Sequence, residues 1–221
     1  MKKIVFLVSG NGGTLKFMAE AIQTLQAPFE VIAVVADREC GAATYAMSKK
    51  INTTILNLKN DGWNDLHQLL QNQKPDIVIT TIHKIIPKFI LDTIPNGFIN
   101  LHYSLLPAFK GLIGMRTVQE AKKQHVQLIG ATAHYVNEEV DAGKIISQFV
   151  FPVDWKQEIT EIYDIVFKNA CITLLNALYI ITEDSKEKEI LFNQNKAECL
   201  YNPALHYNAQ KFDTVFWNKI N

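Results

Sequence analysis

The hydrophobic residues of this chain fall into short continuous runs that alternate with longer segments of mixed polarity. Runs of strand length occur at residues 4–8, 29–36, 53–56, 77–81 and 97–102. Such runs are typical of strands that are buried on both faces of a parallel sheet. Helix-length segments occur between them at residues 15–25, 42–50, 63–73 and 87–94. The alternation predicts an α/β fold with a doubly wound, mostly parallel sheet.

The second half of the chain continues this pattern and then loses it. The pattern predicts a helix at residues 115–124, strands at 128–136 and 144–153, and a long apolar helix at 160–182. Beyond residue 185 the sequence becomes polar and irregular, and then aromatic. We therefore predict one domain over residues 1–184 and a C-terminal irregular tail over residues 185–221, packed on the domain or on a partner.

Polar side chains at predicted strand ends indicate an active site. Asn100 and His102 alternate at the end of the fifth strand, so they point to the same face. An amide donor beside an imidazole suits the polarisation of a carbonyl and the movement of a proton. Asp141 follows a later strand, and its carboxylate would orient the imidazole and raise its pKa. His134 is interpreted as a structural histidine, with a supporting role beside the site as the alternative.

A glycine-rich loop joins the first strand to the first helix. Strand, glycine turn and helix together aim backbone N–H groups and a helix N-terminus at an anion. Gly12, Gly13 and Thr14 are therefore candidates for binding a substrate phosphate. The loop has neither the Gly-Lys-Ser/Thr ending of nucleotide-binding phosphate loops nor the glycine spacing of dinucleotide-binding turns. A tight turn without a ligand is the alternative.

Composition narrows the class of protein. Lys+Arg and Asp+Glu number 22 each, so no overall charge favours nucleic acid or a membrane surface. Cys40, Cys171 and Cys199 are widely spaced, which fits a reducing compartment and offers no paired metal ligands. The N-terminus has the pattern of a strand and not of a secretory signal, and no continuous apolar run approaches the ~18 residues of a membrane span. These features predict a cytoplasmic protein.

Three parts of the sequence resemble the 10-formyltetrahydrofolate-dependent formyltransferase family. Residues 99–107 with Gly111, and residues 130–136 with 141–143, resemble the family's Asn-x-His and Asp-x-Gly segments. Residues 8–13 resemble the phosphate loop of the branch that formylates glycinamide ribonucleotide. The resemblance covers roughly residues 3–180 and implies that Asn100, His102 and Asp141 are catalytic. It also implies folate-binding positions in two loops, at Ile82, His83, Lys84, Ile85, Val140, Ala142 and Gly143.

The resemblance implies an enzyme that transfers a formyl group from 10-formyltetrahydrofolate, its co-substrate, to an amine of a small phosphorylated acceptor, without a metal. Glycinamide ribonucleotide is the first candidate acceptor. Tyr103 replaces a proline that is common in the family, and Asn169 aligns with a glutamate that holds the ribose in glycinamide-ribonucleotide enzymes.

Because these departures concern the acceptor, three alternatives stay open. One is an N-formyltransferase acting on an amino sugar or sugar nucleotide. Another is a formyltetrahydrofolate deformylase, which uses water as the acceptor. A catalytically silent folate- or phosphate-binding protein is the third. A homodimer is left open, and neither nucleic acid nor a membrane is expected as a partner.

Overall fold

The computed structural model describes residues 1–59, 61–182, 193–195 and 197–220. The chain forms two compact units. Unit 1 comprises Met1–Asn100, Val136–Glu138 and Gln210–Asn221, and unit 2 comprises Leu101–Tyr135 and Glu139–Ala209. The predicted domain boundary between residues 184 and 185 lies outside the described residues.

Unit 1 is built around a parallel sheet in the strand order β3-β2-β1-β4-β5. The strands are β1 (Lys2–Val8), β2 (Phe29–Ala36), β3 (Asn52–Ile55), β4 (Ile77–Thr80) and β5 (Phe98–His102), whose last two residues belong to unit 2. The helices are α1 (Gly13–Leu25), α2 (Gly41–Ser48), α3 (Gly62–Gln73) and α4 (Lys88–Leu91). Every residue of β1 from Ile4 to Val8 is buried, as expected for a strand covered on both faces.

The carboxyl ends of the central strands of unit 1 lie side by side. Thr80 of β4 pairs with Leu7 of β1 and with Asn100 of β5. The glycine-rich loop follows β1 directly and leads into α1. Because parallel strands all end at one edge of their sheet, the polar residues predicted at these strand ends share that edge.

Unit 2 combines antiparallel strands with a long helix. Its elements are α5 (Met115–Lys123), β6 (Leu128–Tyr135), β7 (Ile145–Pro152), α6 (Ile159–Ile181), β8 (Asn193–Asn195) and β9 (Ala197–Asn202). Strand β7 pairs antiparallel with both β6 and β9. A Cβ at Gly130 of β6 would lie 1.9 Å from the Phe149 carbonyl oxygen of β7. The glycine in β6 therefore permits close strand pairing.

Helix α6 is long and apolar enough to cross a membrane if only its length and composition are considered. In the folded chain 61% of its most apolar window is buried. Val166, Ala170 and Leu174 are fully covered. A helix in a protein core passes the same composition test, so α6 is weak evidence for a membrane, and the absence of a membrane partner stays a prediction.

The C-terminal region contains a strand that the sequence pattern does not predict. Strand β9 pairs with β7, and Tyr207 beyond it donates a 2.6 Å hydrogen bond to a backbone carbonyl of α6. In unit 1 a last short helix, α7 (Thr214–Trp217), packs on α1. Phe216 and Trp217 lie with their ring centroids 5.7 and 5.4 Å from that of Phe17. The aromatic residues of this region therefore have partners within the chain.

Candidate active site

His102 and Asp141 form a buried pair in unit 2. His102 is the last residue of β5 and is only 5% exposed. Its Nδ1 lies 3.1 Å from Oδ2 of Asp141. The same carboxylate oxygen accepts a 2.8 Å hydrogen bond from the backbone N–H of Gly111. The fold thus brings together two residues that are predicted to be catalytic from their types, and their catalytic role stays a prediction.

The turn that carries Asp141 explains the Asp-x-Gly pattern. Asp141 has a φ of 51°, in the left-handed region that Asp and Asn adopt more readily than most residues. A Cβ at Gly143 would lie 1.7 Å from the Tyr135 carbonyl oxygen. The backbone therefore requires glycine at one position and favours Asp at the other, and this turn holds the carboxylate against His102.

The second ring nitrogen of His102 also has an acceptor beside it. Nε2 lies 3.1 Å from the carbonyl oxygen of Phe109. Burial is the largest influence on this imidazole and lowers its pKa below the ordinary 6.5, while the Asp141 carboxylate and the Phe109 carbonyl act in the opposite direction. The Asp141 carboxylate therefore acts in the expected direction on the pKa of His102, but the loss of solvation outweighs it and the net shift is downward.

His134 lies on the other side of Asp141. Its Nδ1 is 2.8 Å from the Tyr135 carbonyl oxygen, so in the neutral ring this nitrogen carries the proton. Nε2 is left 3.7 Å from Oδ1 of Asp141 and has no hydrogen-bond partner in the described part of the chain. Burial lowers the pKa of His134 as well. His134 therefore lies beside Asp141, but its neutral ring has no proton on Nε2 to donate to the carboxylate, and a supporting role for His134 stays a prediction.

The two buried histidines predict a stability that falls on acidification. Because their pKa values are lowered in the folded state, the unfolded chain binds more protons below about pH 6.5. Above that pH, both states bind the same number of protons at these histidines, so the free energy of unfolding should be at its maximum with respect to them. Below it, the loss should reach up to about 1.4 kcal/mol per histidine for each pH unit, until the folded pKa is reached. Urea unfolding at neutral and mildly acidic pH measures this slope.

A pair of variants tests the origin of this slope. His134→Gln should reduce the pH dependence by roughly half, because one of the two buried imidazoles is removed. His125→Gln, at an exposed position of the same unit, should leave it unchanged. An equal slope in both variants and in the parent chain would show that the buried histidines do not cause it.

Asn100 is the last residue of β5 that belongs to unit 1. Its Nδ2 donates a 2.8 Å hydrogen bond to the carbonyl oxygen of Thr80. This bond uses one of the two amide hydrogens and fixes the side chain. In the part of the chain that the structure describes, the second N–H has no acceptor, and it can donate to a substrate oxygen.

The loop before α1 contains a glycine in the left-handed region and leads directly into the helix. Gly12 has a φ of 80°, and a Cβ there would lie 2.7 Å from the Cα of Ala42. Within the described chain, no side chain caps the start of α1, and its first turn contains no acidic residue. Neither a capping side chain nor a carboxylate of that turn therefore competes with an anion for the N-terminus of α1, where Gly13 and Thr14 lie.

The predicted folate-binding residues fall in one loop of each unit. Residues 82–85 follow β4 in unit 1, where Ile85 is 65% exposed and Lys84 Nζ donates to the Leu58 carbonyl oxygen at 3.1 Å. Residues 140, 142 and 143 belong to the Asp141 turn of unit 2, where Val140 is 52% exposed. Exposed aliphatic side chains of this kind suit contact with a planar ligand. Folate binding by these residues stays a prediction.

Comparison with known proteins identifies the family. A family profile described as formyl transferase matches residues 2–178. The chain belongs to the formyl transferase family. The chloroplastic phosphoribosylglycinamide formyltransferase of Arabidopsis thaliana is 31% identical over 157 residues, which are 66% of this chain and 54% of that protein. The formyltetrahydrofolate deformylase of Escherichia coli K12 is 39% identical over 98 residues, which are 43% of this chain and 34% of that protein.

A solved structure shares the fold of this formyltransferase family member. Glycinamide ribonucleotide transformylase 1 from Symbiobacterium toebii superposes with a TM-score of 0.75 at 23% identity, covering 90% of this chain and 94% of that one. This likeness confirms the predicted α/β fold class. The chain spans about half the length of the plant relative (54%) and about a third of the deformylase (34%), so their activities do not carry over by likeness alone.

Tyr103 and Asn169, which depart from the family pattern, both have aromatic partners in this chain. The ring of Tyr103 lies 5.9 Å from that of Tyr163 and 6.5 Å from that of Phe167, both on α6. Asn169, also on α6, accepts a hydrogen bond from the hydroxyl of Tyr201 on β9. The sequence pattern does not predict β9, so it also does not predict the contact between Tyr201 and Asn169.

Two contributors to the site act through backbone atoms and escape prediction from residue types. Phe109 presents its carbonyl oxygen to His102, and Gly111 presents its N–H to Asp141. The family resemblance includes this loop through Gly111, but it does not indicate which backbone atoms contact His102 and Asp141. Among the described residues, no cluster of three metal-ligating side chains is found, and independence from metal stays a prediction.

Proposed function

We propose that this chain transfers the formyl group of 10-formyltetrahydrofolate to a primary amine of a small phosphorylated acceptor, with glycinamide ribonucleotide as the first candidate. The buried His102–Asp141 pair carries the proposal. His102 follows the amide donor Asn100 by two residues, and the pair suits acid–base chemistry at a carbonyl. Membership of the formyl transferase family and the names of its relatives support the same reaction.

The proposed mechanism assigns a role to each of the three residues. The amine nitrogen attacks the formyl carbon, and negative charge develops on the formyl oxygen. The second N–H of Asn100 donates to that oxygen, and His102 stabilises its charge. The amine loses a proton as its bond to carbon forms, and the folate nitrogen gains one as its bond to carbon breaks. His102 and Asp141 accept the first proton and supply the second.

The acceptor phosphate is assigned to the loop at Gly12, Gly13 and Thr14. The N-terminus of α1 favours an anion through its N–H groups and its dipole. The lack of a side-chain cap or an acidic residue in the described first turn supports this assignment. An anion-binding loop favours a phosphorylated amine over water as the acceptor, because water carries no phosphate for the loop to bind.

Acceptor identity is tested by offering 10-formyltetrahydrofolate together with one of two amines. We expect mass spectrometry to detect N-formylated glycinamide ribonucleotide, with less product from an amino-sugar nucleotide. If only the amino-sugar nucleotide is formylated, the proposed acceptor is wrong, but the proposed formyl transfer is correct. No formylated product from any amine would favour a silent folate-binding protein.

The deformylase alternative predicts a different use of the folate. Without an amine, we expect formate release to be at least two orders of magnitude slower than formyl transfer, because the proposed site places an amine and not water against the formyl carbon. Formate measured in the presence and absence of glycinamide ribonucleotide gives both rates. Rapid formate release from the folate alone would move the assignment to deformylase, the activity in the name of the Escherichia coli relative.

An amino sugar or sugar nucleotide remains the second candidate acceptor. The observation that favours it is the neutral amide of Asn169, bonded to Tyr201, where a glutamate is common in the glycinamide-ribonucleotide branch. The aromatic rings of Tyr103 and Phe167 in the same unit also suit stacking against the apolar face of a sugar or base.

A further inference from the structure

A cleft of about 640 Å³ lies in unit 2, apart from all the residues assigned above to the folate and the phosphate. It is bounded by the loop after β5, by α5 and by the start of β6. Clefts of roughly 300–1,000 Å³ are the usual size for small organic ligands. The volume is therefore large enough to bind a second small molecule in addition to the two substrates.

The lining of the cleft favours a flat apolar ligand. It is mainly aliphatic and aromatic, with side chains that include Tyr103, Leu105, Leu112, Val118, Leu128 and Val166. Leu128 remains 55% exposed even though it lies at the start of a strand. An aromatic ligand would cover this surface and gain the free energy of apolar burial.

The charged residues of the cleft favour an anionic group on that ligand. Glu120 already accepts hydrogen bonds from Lys123 and Gln124, so its charge is compensated. Lys110 is exposed, and among the described residues no carboxylate lies within ion-pair distance of it. A sulfonate or carboxylate next to Lys110 would supply the missing partner.

The wall of the cleft is the same loop that holds the catalytic pair. Phe109 lines the cleft, and its carbonyl oxygen is the acceptor beside Nε2 of His102. Ala108 also lines the cleft, and its carbonyl accepts a 2.5 Å hydrogen bond from Ser104. Nδ1 faces the Asp141 carboxylate, so both nitrogens of His102 donate hydrogen bonds only when the imidazole is protonated. Phe109 must move before Nε2 can reach a substrate.

We propose that this cleft binds a small planar aromatic anion, and that the bound ligand holds the Phe109 carbonyl on His102 and so lowers turnover. The binding part is independent of the reaction. The effect on turnover rests on the proposed formyl transfer. A ligand in this cleft would not compete with the folate or with the acceptor phosphate, because none of the residues assigned to those two groups lines it.

Fluorescence titration with anilinonaphthalenesulfonate, a planar aromatic anion, tests the binding. Leu128→Trp fills the cleft from an exposed position and should weaken binding at least tenfold. Leu200→Trp is the matched control, because Leu200 is also an exposed leucine on a strand of unit 2, at 45%, but does not line the cleft. Lys110→Gln should weaken binding about three- to tenfold, and the exposed Lys156→Gln should not. If Leu128→Trp and Leu200→Trp bind the probe equally well, the probe does not occupy this cleft. If Lys110→Gln and Lys156→Gln bind it equally well, Lys110 does not contact its anionic group.

The coupling to His102 has two readouts. At saturating substrates the probe should lower kcat severalfold without raising either KM, and Leu128→Trp should be resistant. Nitrogen NMR of the His102 imidazole, recorded without substrates, should show the Nε2 signal shift when the probe binds. Binding that leaves this signal unchanged would overturn the coupling. If the Nε2 signal shifts but the chain formylates no amine, the coupling of the cleft to His102 is supported and the proposed formyl transfer is wrong.

Discussion

His102→Ala and Asp141→Asn are each expected to lower kcat by at least about 100-fold, while the KM for the folate changes little. Both residues act on charge that develops only in the transition state, so their loss affects turnover more than substrate binding. A loss of about 100-fold corresponds to roughly 2.7 kcal/mol of barrier, a usual cost for removing one stabilising group. Steady-state kinetics at saturating acceptor and donor measure the effect.

The Asp141 substitution is chosen to preserve the fold of its turn. Asn tolerates the left-handed φ of 51° at this position and keeps the shape of the side chain, so only the charge is lost. Asp154→Asn is the matched control at an exposed position of the same unit. A near-normal kcat for either His102→Ala or Asp141→Asn at saturating substrates would show that the residue's proposed role is wrong.

Gly12→Val is expected to lower the free energy of unfolding by about 2–6 kcal/mol and to raise the KM of the acceptor far more than that of the folate. A branched side chain at a φ of 80° costs about 1–3 kcal/mol in strain. Its Cβ would also lie 2.7 Å from the Cα of Ala42, which adds about 1–3 kcal/mol of overpacking. Urea unfolding gives the stability, and kinetics at a temperature where the variant is folded give both KM values.

Gly10→Val separates the stability effect from the general cost of placing valine in this loop. A Cβ at Gly10 meets no atom within 4 Å, so the change in stability should stay below about 1 kcal/mol. Equal destabilisation by the two variants would contradict the strain argument. An unchanged acceptor KM in a folded Gly12→Val chain would show that the acceptor phosphate does not bind in this loop.

Removal of the C-terminal residues is a poor way to test whether they bind the acceptor. Tyr201 lies in β9, which pairs with β7, and Phe216 is buried against Phe17 of α1. Truncation before residue 200 would expose parts of both units. Single substitutions at Tyr201 are the sharper experiment, because its hydroxyl bonds to Asn169.

Local sequence was sufficient for the alternation of strands and helices and for the polar residues that follow them. The continuous apolar run of β1 is buried along its length, and Thr80 and Asn100 pair at neighbouring strand ends. These features are predictable because a buried parallel strand must be apolar on both faces and must end at a common edge. Residue type and alternation also drew attention to Asn100 and His102, whereas the assignment of Asp141 as their catalytic partner rests on the family resemblance.

The tertiary structure alone decided how that pair is held. The partners of His102 and Asp141 include the carbonyl of Phe109 and the N–H of Gly111, and every residue type carries such backbone groups. The pKa of His102 moves down because the depth of burial, which no local pattern reports, outweighs the charge of Asp141. Strand β9 was equally hidden, because six residues show a period-two pattern too weakly and only pairing with β7 makes them a strand.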